Sequence, residues 1–290
     1  MVKVKLSPRM QAVADMACKS REYRDVLCKS ADSKGELCTR KDRPDVPCEK
    51  TVADIGCDHA FVSIYLVSQN YFDKAIAMDI KKGPLLIAEN NIKNYGVSDK
   101  VVTRLSNGFD KLDGCEADTA IIAGMGGELM VDILKRGSLH TNNGISLVLQ
   151  PQSEPEKVRK YILDIGYKIT DEIMLIDEEK YYVVIRADKC DNADKKNKSD
   201  ICDAADEDNK YYKSDDKPYS HVELLYGRIL IDKKDIILKE YLDKQLKKNN
   251  KLILSLETVG TEHALNKIEE LKREADYIRE VLDEIIDKKV

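Results

Sequence analysis

Several absences narrow what this chain can be. No apolar run approaches the roughly 18 residues that a membrane span needs, and the opening residues M-V-K-V-K-L-S-P-R-M contain no apolar h-region of a secretory signal. A cytoplasmic protein with no membrane association is therefore expected. There is no excess of positive charge: the net charge is -5 with 35% charged residues, which argues against a purely electrostatic nucleic-acid binder but leaves room for local basic patches. No C-x2-C pair of a zinc ribbon occurs. Cys18, Cys28, Cys38 and Cys48 instead recur every ten residues in a polar stretch. Residues 18–50 are expected to be a weakly structured insertion with free thiols; a metal or redox cluster and disulfides are the alternatives, the last disfavoured in a cytosolic chain. The second and third glycines of G-x-G-x-x-G are missing from Gly56-Cys57-Asp58-His59-Ala60, which speaks against a dinucleotide dehydrogenase.

What is present is a regular alternation. Ser7 and Pro8 open a helix over Leu6–Ala17. After the insertion, Thr51–Ile55, Lys74–Asp79, Val101–Leu105, Thr119–Ala123 and Ile145–Leu149 read as strands. Helices at His59–Ser68, Pro84–Asn94, Glu128–Arg136 and Glu154–Ile165 fall between or after them. Tyr167–Leu175 and Tyr181–Ala187, joined by Asp177-Glu178-Glu179, read as a closing hairpin. Short strands alternating with helices predict an α/β fold, a doubly wound Rossmann-like sheet, and the closing hairpin predicts an antiparallel edge strand of methyltransferase type. The expected organisation is a domain over residues 1–187, a polar linker over 188–220, and a helical hairpin over 221–290. In that last part Leu230, Ile231, Ile236, Ile237, Tyr241, Leu242, Leu246, Leu252, Leu254 and Leu256 predict one long amphipathic helix. Gly260 breaks it, and Leu265 to Ile285 repeat apolar positions at three-to-four spacing. The hairpin reads as a coiled-coil arm or dimer element, or as an RNA-gripping arm carrying Lys233-Lys234 and Lys247-Lys248.

Four loops follow four strand ends, where ligands sit in open α/β sheets. In D-I-G-C-D-H, Gly56 permits close backbone approach, while Asp54, Asp58 and His59 crowd polar groups around the break. Acids there disfavour a pyrophosphate and suit a cationic or hydroxyl-rich ligand, S-adenosylmethionine before NAD. Asp79, followed by Ile80, ends strand two; an acid at that place accepts hydrogen bonds from ribose hydroxyls. Ser106-Asn107-Gly108-Phe109 offers an amide for an adenine edge and a tight turn. Ala123-Gly124-Met125-Gly126-Gly127 leaves backbone groups bare, and its glycines are unsuited to a strand interior. Gln150-Pro151-Gln152 puts amides on the same rim. Tyr161, Tyr167, Tyr181 and Tyr182 read first as packing aromatics and second as base-stacking ones.

Taken together, D-I-G-C-D-H-A (54–60), M-D-I-K-K-G-P (78–84), N-G-F (107–109), I-I-A-G-M-G-G (121–127) and L-Q-P-Q (149–152) resemble the bacterial tRNA (adenine(22)-N(1))-methyltransferase family. Y-G-R-I-L (226–230) resembles that family's entry to its C-terminal arm. The resemblance implies a class I S-adenosylmethionine fold with a small coiled-coil domain, methylating N1 of adenine 22 in the D-loop region of tRNA. It implies that Asp54, Gly56, Asp79, Ile80, Asn107, Gly108, Ala123, Gly124, Met125 and Gly126 surround the cofactor. Asp58 and His59 would lie toward methyl transfer, and Gly127, Gln150 and Pro151 toward the substrate. No metal is expected. The chain departs from the family pattern at Cys57, at Arg228 where proline is usual, and in the stretches 18–50 and 188–220. The competing expectations are a class I methyltransferase acting on a small molecule or protein, and a non-catalytic RNA-binding scaffold.

Overall fold

In a computed structural model, the described residues are 4–19, 30–31, 37–38, 50–114, 116–189, 217–258 and 261–286. Cys28, Cys48, Cys115, Cys190, Cys202 and Gly260 lie outside them, as does most of the predicted insertion. Within it, residues 30–31 and 37–38 form a two-residue antiparallel ladder.

Seven strands make the main sheet: β1 (Thr51–Ile55), β2 (Lys74–Asp79), β3 (Val101–Leu105), β4 (Thr119–Gly126), β5 (Ser146–Ser153), β6 (Tyr167–Asp177) and β7 (Lys180–Lys189). Their order is 3-2-1-4-5-7-6. The first five run parallel, and β7 pairs antiparallel with β5, Leu147 opposite Ala187. The dinucleotide-binding fold has 3-2-1-4-5-6; here an antiparallel strand is inserted before the edge. The expected closing hairpin is thus present, with β7 inside the sheet and β6 at its edge. Its turn, Glu178-Glu179, has φ of 48° and 62° at its two central residues. Two positive φ values give the turn twist that matches paired strands.

β1 is buried along its whole length, as a parallel strand covered on both faces should be. The connecting helices are α2 (Phe61–Ser68), α3 (Lys82–Asn94), α4 (Gly127–Arg136), α5 (Ser138–Asn142) and α6 (Pro155–Asp164). Before them, α1 (Pro8–Cys18) begins at Ser7, whose Oγ accepts the Met10 N–H. One of its last carbonyls, Met16 O, accepts from Nη1 of the buried Arg186 at 2.9 Å. The same guanidinium pairs with Asp188, which also meets the Ser146 hydroxyl. A carbonyl in the last turn of α1 is thereby held from β7.

The described residues fall into two compact units. One takes those within Met1–Ile173 and Tyr182–Asp216; the other takes Met174–Tyr181 and those from Lys217 onward. In the second unit α7 (His221–Tyr226) comes first, and the predicted single helix over Leu230 to Leu256 is corrected to two, α8 (Arg228–Asp232) and α9 (Ile236–Glu257). Gly227 at φ 89° separates the first two, and Lys234 at φ 53° turns the chain after α8. Asp235 then caps α9 by accepting the N–H groups of Ile237 and Leu238, both at 2.9 Å. The apolar periodicity ran across this break because Leu230 and Ile231 are themselves buried. α10 (Glu262–Ile286) packs on α9, with Ile268 and Leu271 against Ile253 and Leu256. Arg228, the departure from the family pattern, clamps the start of the arm. It bonds Glu223 through Nε and Nη2, donates to Pro218 O, and lies 3.7 Å from the centroid of the Tyr219 ring. Glu223 in turn completes a capping box with Ser220.

Candidate active site

The carboxyl ends of β1, β2, β3 and β4 carry the four polar loops, and hydrogen bonds tie the first to the end of β2 and the second to the third. Gly56 and Cys57 both donate their N–H to Met78 O, at 2.8 and 2.9 Å, so the first loop is tied to the end of β2. The Asp79 carbonyl accepts the Ser106 N–H at 2.9 Å, tying the second loop to the third. Gly56 has φ 77°, and a Cβ there would lie 2.3 Å from Cε of Met125. The left-handed backbone is what calls for glycine at residue 56; the close methyl is the flexible end of Met125, in the A-G-M-G-G segment. These two motifs, distant in sequence, meet in space.

The first loop turns sharply. Asp58 and Ala60 adopt φ of 50° and 60°, a left-handed conformation that costs a non-glycine residue of order 1 kcal/mol or more and tends to occur at functional sites. α2 for this reason starts at Phe61, two residues later than the periodicity suggests. The turn leaves Asp58 outward, its side chain 64% exposed, with Oδ1 3.5 Å from Nε2 of the half-buried His59. The His59 carbonyl accepts from Asn91 Nδ2, and its ring meets Phe61 edge-on.

Asp54 lies beneath this loop, buried, with one carboxylate oxygen accepting the Ser63 hydroxyl at 2.7 Å. Burial pushes its pKa up to about 6; the Ser63 bond opposes that rise and the nearby Asp79 charge adds to it. Burial also pushes the Cys57 thiol well up, reinforced by Asp54, Asp79 and Asp58. Cys57 thus remains a thiol, and the three carboxyl groups together make this a negative site suited to a cation. Asp79 receives the Lys81 N–H on Oδ1 at 2.8 Å. A carboxylate has several acceptor positions, which suits hydroxyl pairs beside that bond. Ile80 is 61% exposed next to it. In the third loop Asn107 is exposed, while the buried Ser106 bonds Gly108 O and the Lys111 N–H. Gly108, at φ 63°, fits tightly over Ile133.

The fourth loop corrects the reading of A-G-M-G-G. β4 continues through it to Gly126, with register shifts against β5 at Met125 and Gly126. The glycines are used as a bulged strand end, at φ 79° for Gly124. Gly127 is buried, and a Cβ there would stand 2.5 and 2.7 Å from the carbonyl oxygens of Glu154 and Ser153. Gln150 and Pro151 likewise lie within β5, not after it. Gln150 is fully buried: Oε1 accepts the Gly124 N–H at 3.1 Å and Nε2 donates to Pro151 O. Its amide shapes the rim from below.

The sheet, with its antiparallel strand before the edge, is a Rossmann-like fold of methyltransferase type. Residues 44–185 match the family described as "Methyltransferase domain". More particularly, the chain is 27% identical over 243 residues to the tRNA (adenine(22)-N(1))-methyltransferase of Bacillus subtilis, covering 82% of this chain and 92% of that protein. The solved structure of the B. subtilis m1A22 tRNA methyltransferase TrmK superposes with a TM-score of 0.69 at 24% identity, over 97% of this chain and 100% of that one. M. capricolum TrmK, solved with S-adenosyl-homocysteine, gives 0.67 at 22% identity over 97% and 99%. The similarity in sequence thus covers 82% of this chain and the similarity in fold 97%. Among the described residues no helix is long and apolar enough to cross a membrane.

One residue at the rim escaped the motif reading. Arg9, on the first turn of α1, donates from Nη1 to Gln150 Oε1 at 3.4 Å and stands over the Tyr182 ring. Nothing in L-S-P-R-M marks it, because the first helix precedes every strand and its placement over β4 and β5 is a tertiary fact.

Proposed function

We propose that this chain transfers a methyl group from S-adenosylmethionine to N1 of adenine 22 in tRNA, in the cytoplasm. The observation that carries the reading is the junction of Gly56 with Met125: it unites a negative, glycine-floored pocket with a bare strand end in a chain similar along its length to enzymes of that name. S-adenosylmethionine supplies an electrophilic methyl on a cationic sulfonium. Asp54, Gly56, Asp79, Ile80, Asn107, Gly108, Ala123, Gly124, Met125 and Gly126 are assigned to its binding. The pocket fits it on the chain's own chemistry, with carboxylates for the ammonium and ribose groups and bare backbone for the rest.

Adenine N1 carries an in-plane lone pair. The N–C bond forms as the C–S bond breaks, and the electron pair departs on sulfur. Positioning in near-attack geometry is the main contribution the protein makes. Because N1 is engaged in folded RNA, the base must be exposed or flipped. The methylated ring is cationic, so the exposed Asp58 is placed to stabilise that charge or to take a proton from the N6 amine. His59 orients Asp58 or touches the base. Gly127, Gln150 and Pro151 form the substrate side of the rim, Gln150 by holding Gly124 in place. Lys233-Lys234 and Lys247-Lys248 of the arm serve the RNA backbone.

Incubation with methyl-labelled S-adenosylmethionine and unmodified tRNA, followed by nucleoside analysis, tests the reading. Label in 1-methyladenosine at position 22 is expected. Cofactor binding without label on any tRNA overturns it.

A further inference from the structure

We propose that Arg9 holds a backbone phosphate of the target nucleotide beside Gly124, making α1 part of the RNA-binding site; this rests on the tRNA methyltransferase reading above. The space next to Gly124 is lined by two hydrogen-bond donors. A Cβ on that glycine would stand 3.7 Å from Arg9 Nη1 and 3.8 Å from Gln152 Nε2. Neither contact is a clash, so glycine here is set by its φ of 79° and the gap beside it stays open. Arg9 is held in place: Gln150 Oε1 accepts from it at 3.4 Å, and its Cζ lies 5.3 Å from the centroid of the Tyr182 ring. The helix under it is anchored as well. Gln11 Nε2 donates to the Tyr65 hydroxyl at 3.0 Å, and Arg186 holds Met16 O.

A guanidinium so fixed suits an anion, since its planar fork matches phosphate oxygens and little freedom is lost on binding. It does not suit the reacting base: methylation at N1 makes that ring cationic, and a neighbouring guanidinium would oppose the product. Both donors approach the same Cβ position of Gly124, so the rim offers donors for the phosphodiester there, while the carboxylates of the first two loops serve the sulfonium and the methylated base. Exposed Gln152 adds a neutral donor to the same oxygen set.

The test uses the full chain with R9Q and R9K. R9Q keeps a stem and an amide able to bond Gln150 while removing the charge; R9K keeps the charge without the fork. Methylation kinetics on unmodified tRNA, tRNA binding across a salt series and calorimetric S-adenosylmethionine binding are measured for each. R9Q is expected to raise KM for tRNA about tenfold, as loss of one charged hydrogen bond does. Its slope of log Kd against log salt should shrink by about 0.7–0.9, one phosphate contact, with cofactor affinity unchanged. R9K should recover the slope and most of KM. If R9Q keeps the wild-type slope and KM while wild type methylates tRNA, the inference falls alone. A fall in kcat only, or a loss of cofactor binding, likewise overturns it by assigning Arg9 to the cofactor or the fold. A wild-type protein that neither binds nor methylates tRNA removes both this inference and the reading beneath it.

Discussion

Asp58 and Asp54 are separated by four positions and by a large difference in environment. Asp58 stands outward on a left-handed turn; Asp54 is buried with Ser63. Different roles follow. D58A is expected to lower kcat on the order of 10²–10⁴-fold, the range for loss of a general base, while S-adenosylmethionine affinity measured by calorimetry stays near wild type. Asp54 titrates differently from an ordinary carboxyl. Its folded-state pKa of about 6 lies above the ordinary 3.8, so the folded protein favours the neutral acid. The destabilisation appears as pH rises through that window and is complete above about pH 6; a shift of this size corresponds to about 3 kcal/mol. Ligand-free D54N should therefore gain stability relative to wild type as pH rises from about 4 to about 6, then hold the gain, in paired thermal melts. Cofactor affinity should move the other way: wild type tightens as Asp54 ionises, and D54N does not. Parallel melting curves at every pH would remove the buried carboxyl from this account.

Elements are held by contacts that only some residues tolerate. Gly137, between α4 and α5, would place a Cβ 2.2 Å from the Phe109 ring, which is itself buried and stacked on His140 with centroids 5.0 Å apart. A ring wedged in the core cannot retreat as the flexible end of Met125 can at Gly56. G137A is expected to cost about 1–3 kcal/mol by overpacking, seen as a lower denaturation midpoint, and to disturb the Asn107 loop that Phe109 anchors. In the arm, D235A removes a cap serving two N–H groups and should cost about 0.5–2 kcal/mol.

These elements also show how far residue order reaches. Lys74–Asp79 is a strand over the residues that its apolar run marks, because a parallel strand buried on both faces reads as a continuous apolar run; Val101–Leu105, at the sheet edge and buried only at Val101, also keeps its expected bounds. Asp58 and Ala60 moved the start of α2, since left-handed backbone at non-glycine residues has no compositional sign. The break between α8 and α9 was hidden by a periodicity that continued through it, although Asp235 is a typical cap. At the site, the carboxylates and glycines were visible as motifs. The use of Gln150 as a buried strut and the arrival of Arg9 were not, since each depends on a partner more than twenty residues away.

For the whole molecule, charge is distributed by part. The net charge is negative and the candidate pocket is acidic, so RNA affinity must be concentrated in basic patches. K247E/K248E is expected to weaken tRNA binding and flatten its salt dependence, by roughly 0.9 in slope for each phosphate no longer neutralised, with S-adenosylmethionine binding unaltered. Equal salt slopes for wild type and variant would take the arm out of RNA recognition.

The antiparallel β7 between β5 and β6 has a consequence for the order in which the protein is made. β5 ends at Ser153, but the strand that covers its side begins at Lys180, so a growing chain carries an open sheet edge until those residues emerge. The first helix waits as well, because the side chain that holds Met16 O is Arg186. N-terminal units tend to fold first during synthesis; here the first helix and β5 share one late partner. A nascent chain halted before Lys180 has emerged should expose strand edge and lose α1, whereas one halted once Lys189 has emerged should already protect both from proteolysis, before the arm has emerged.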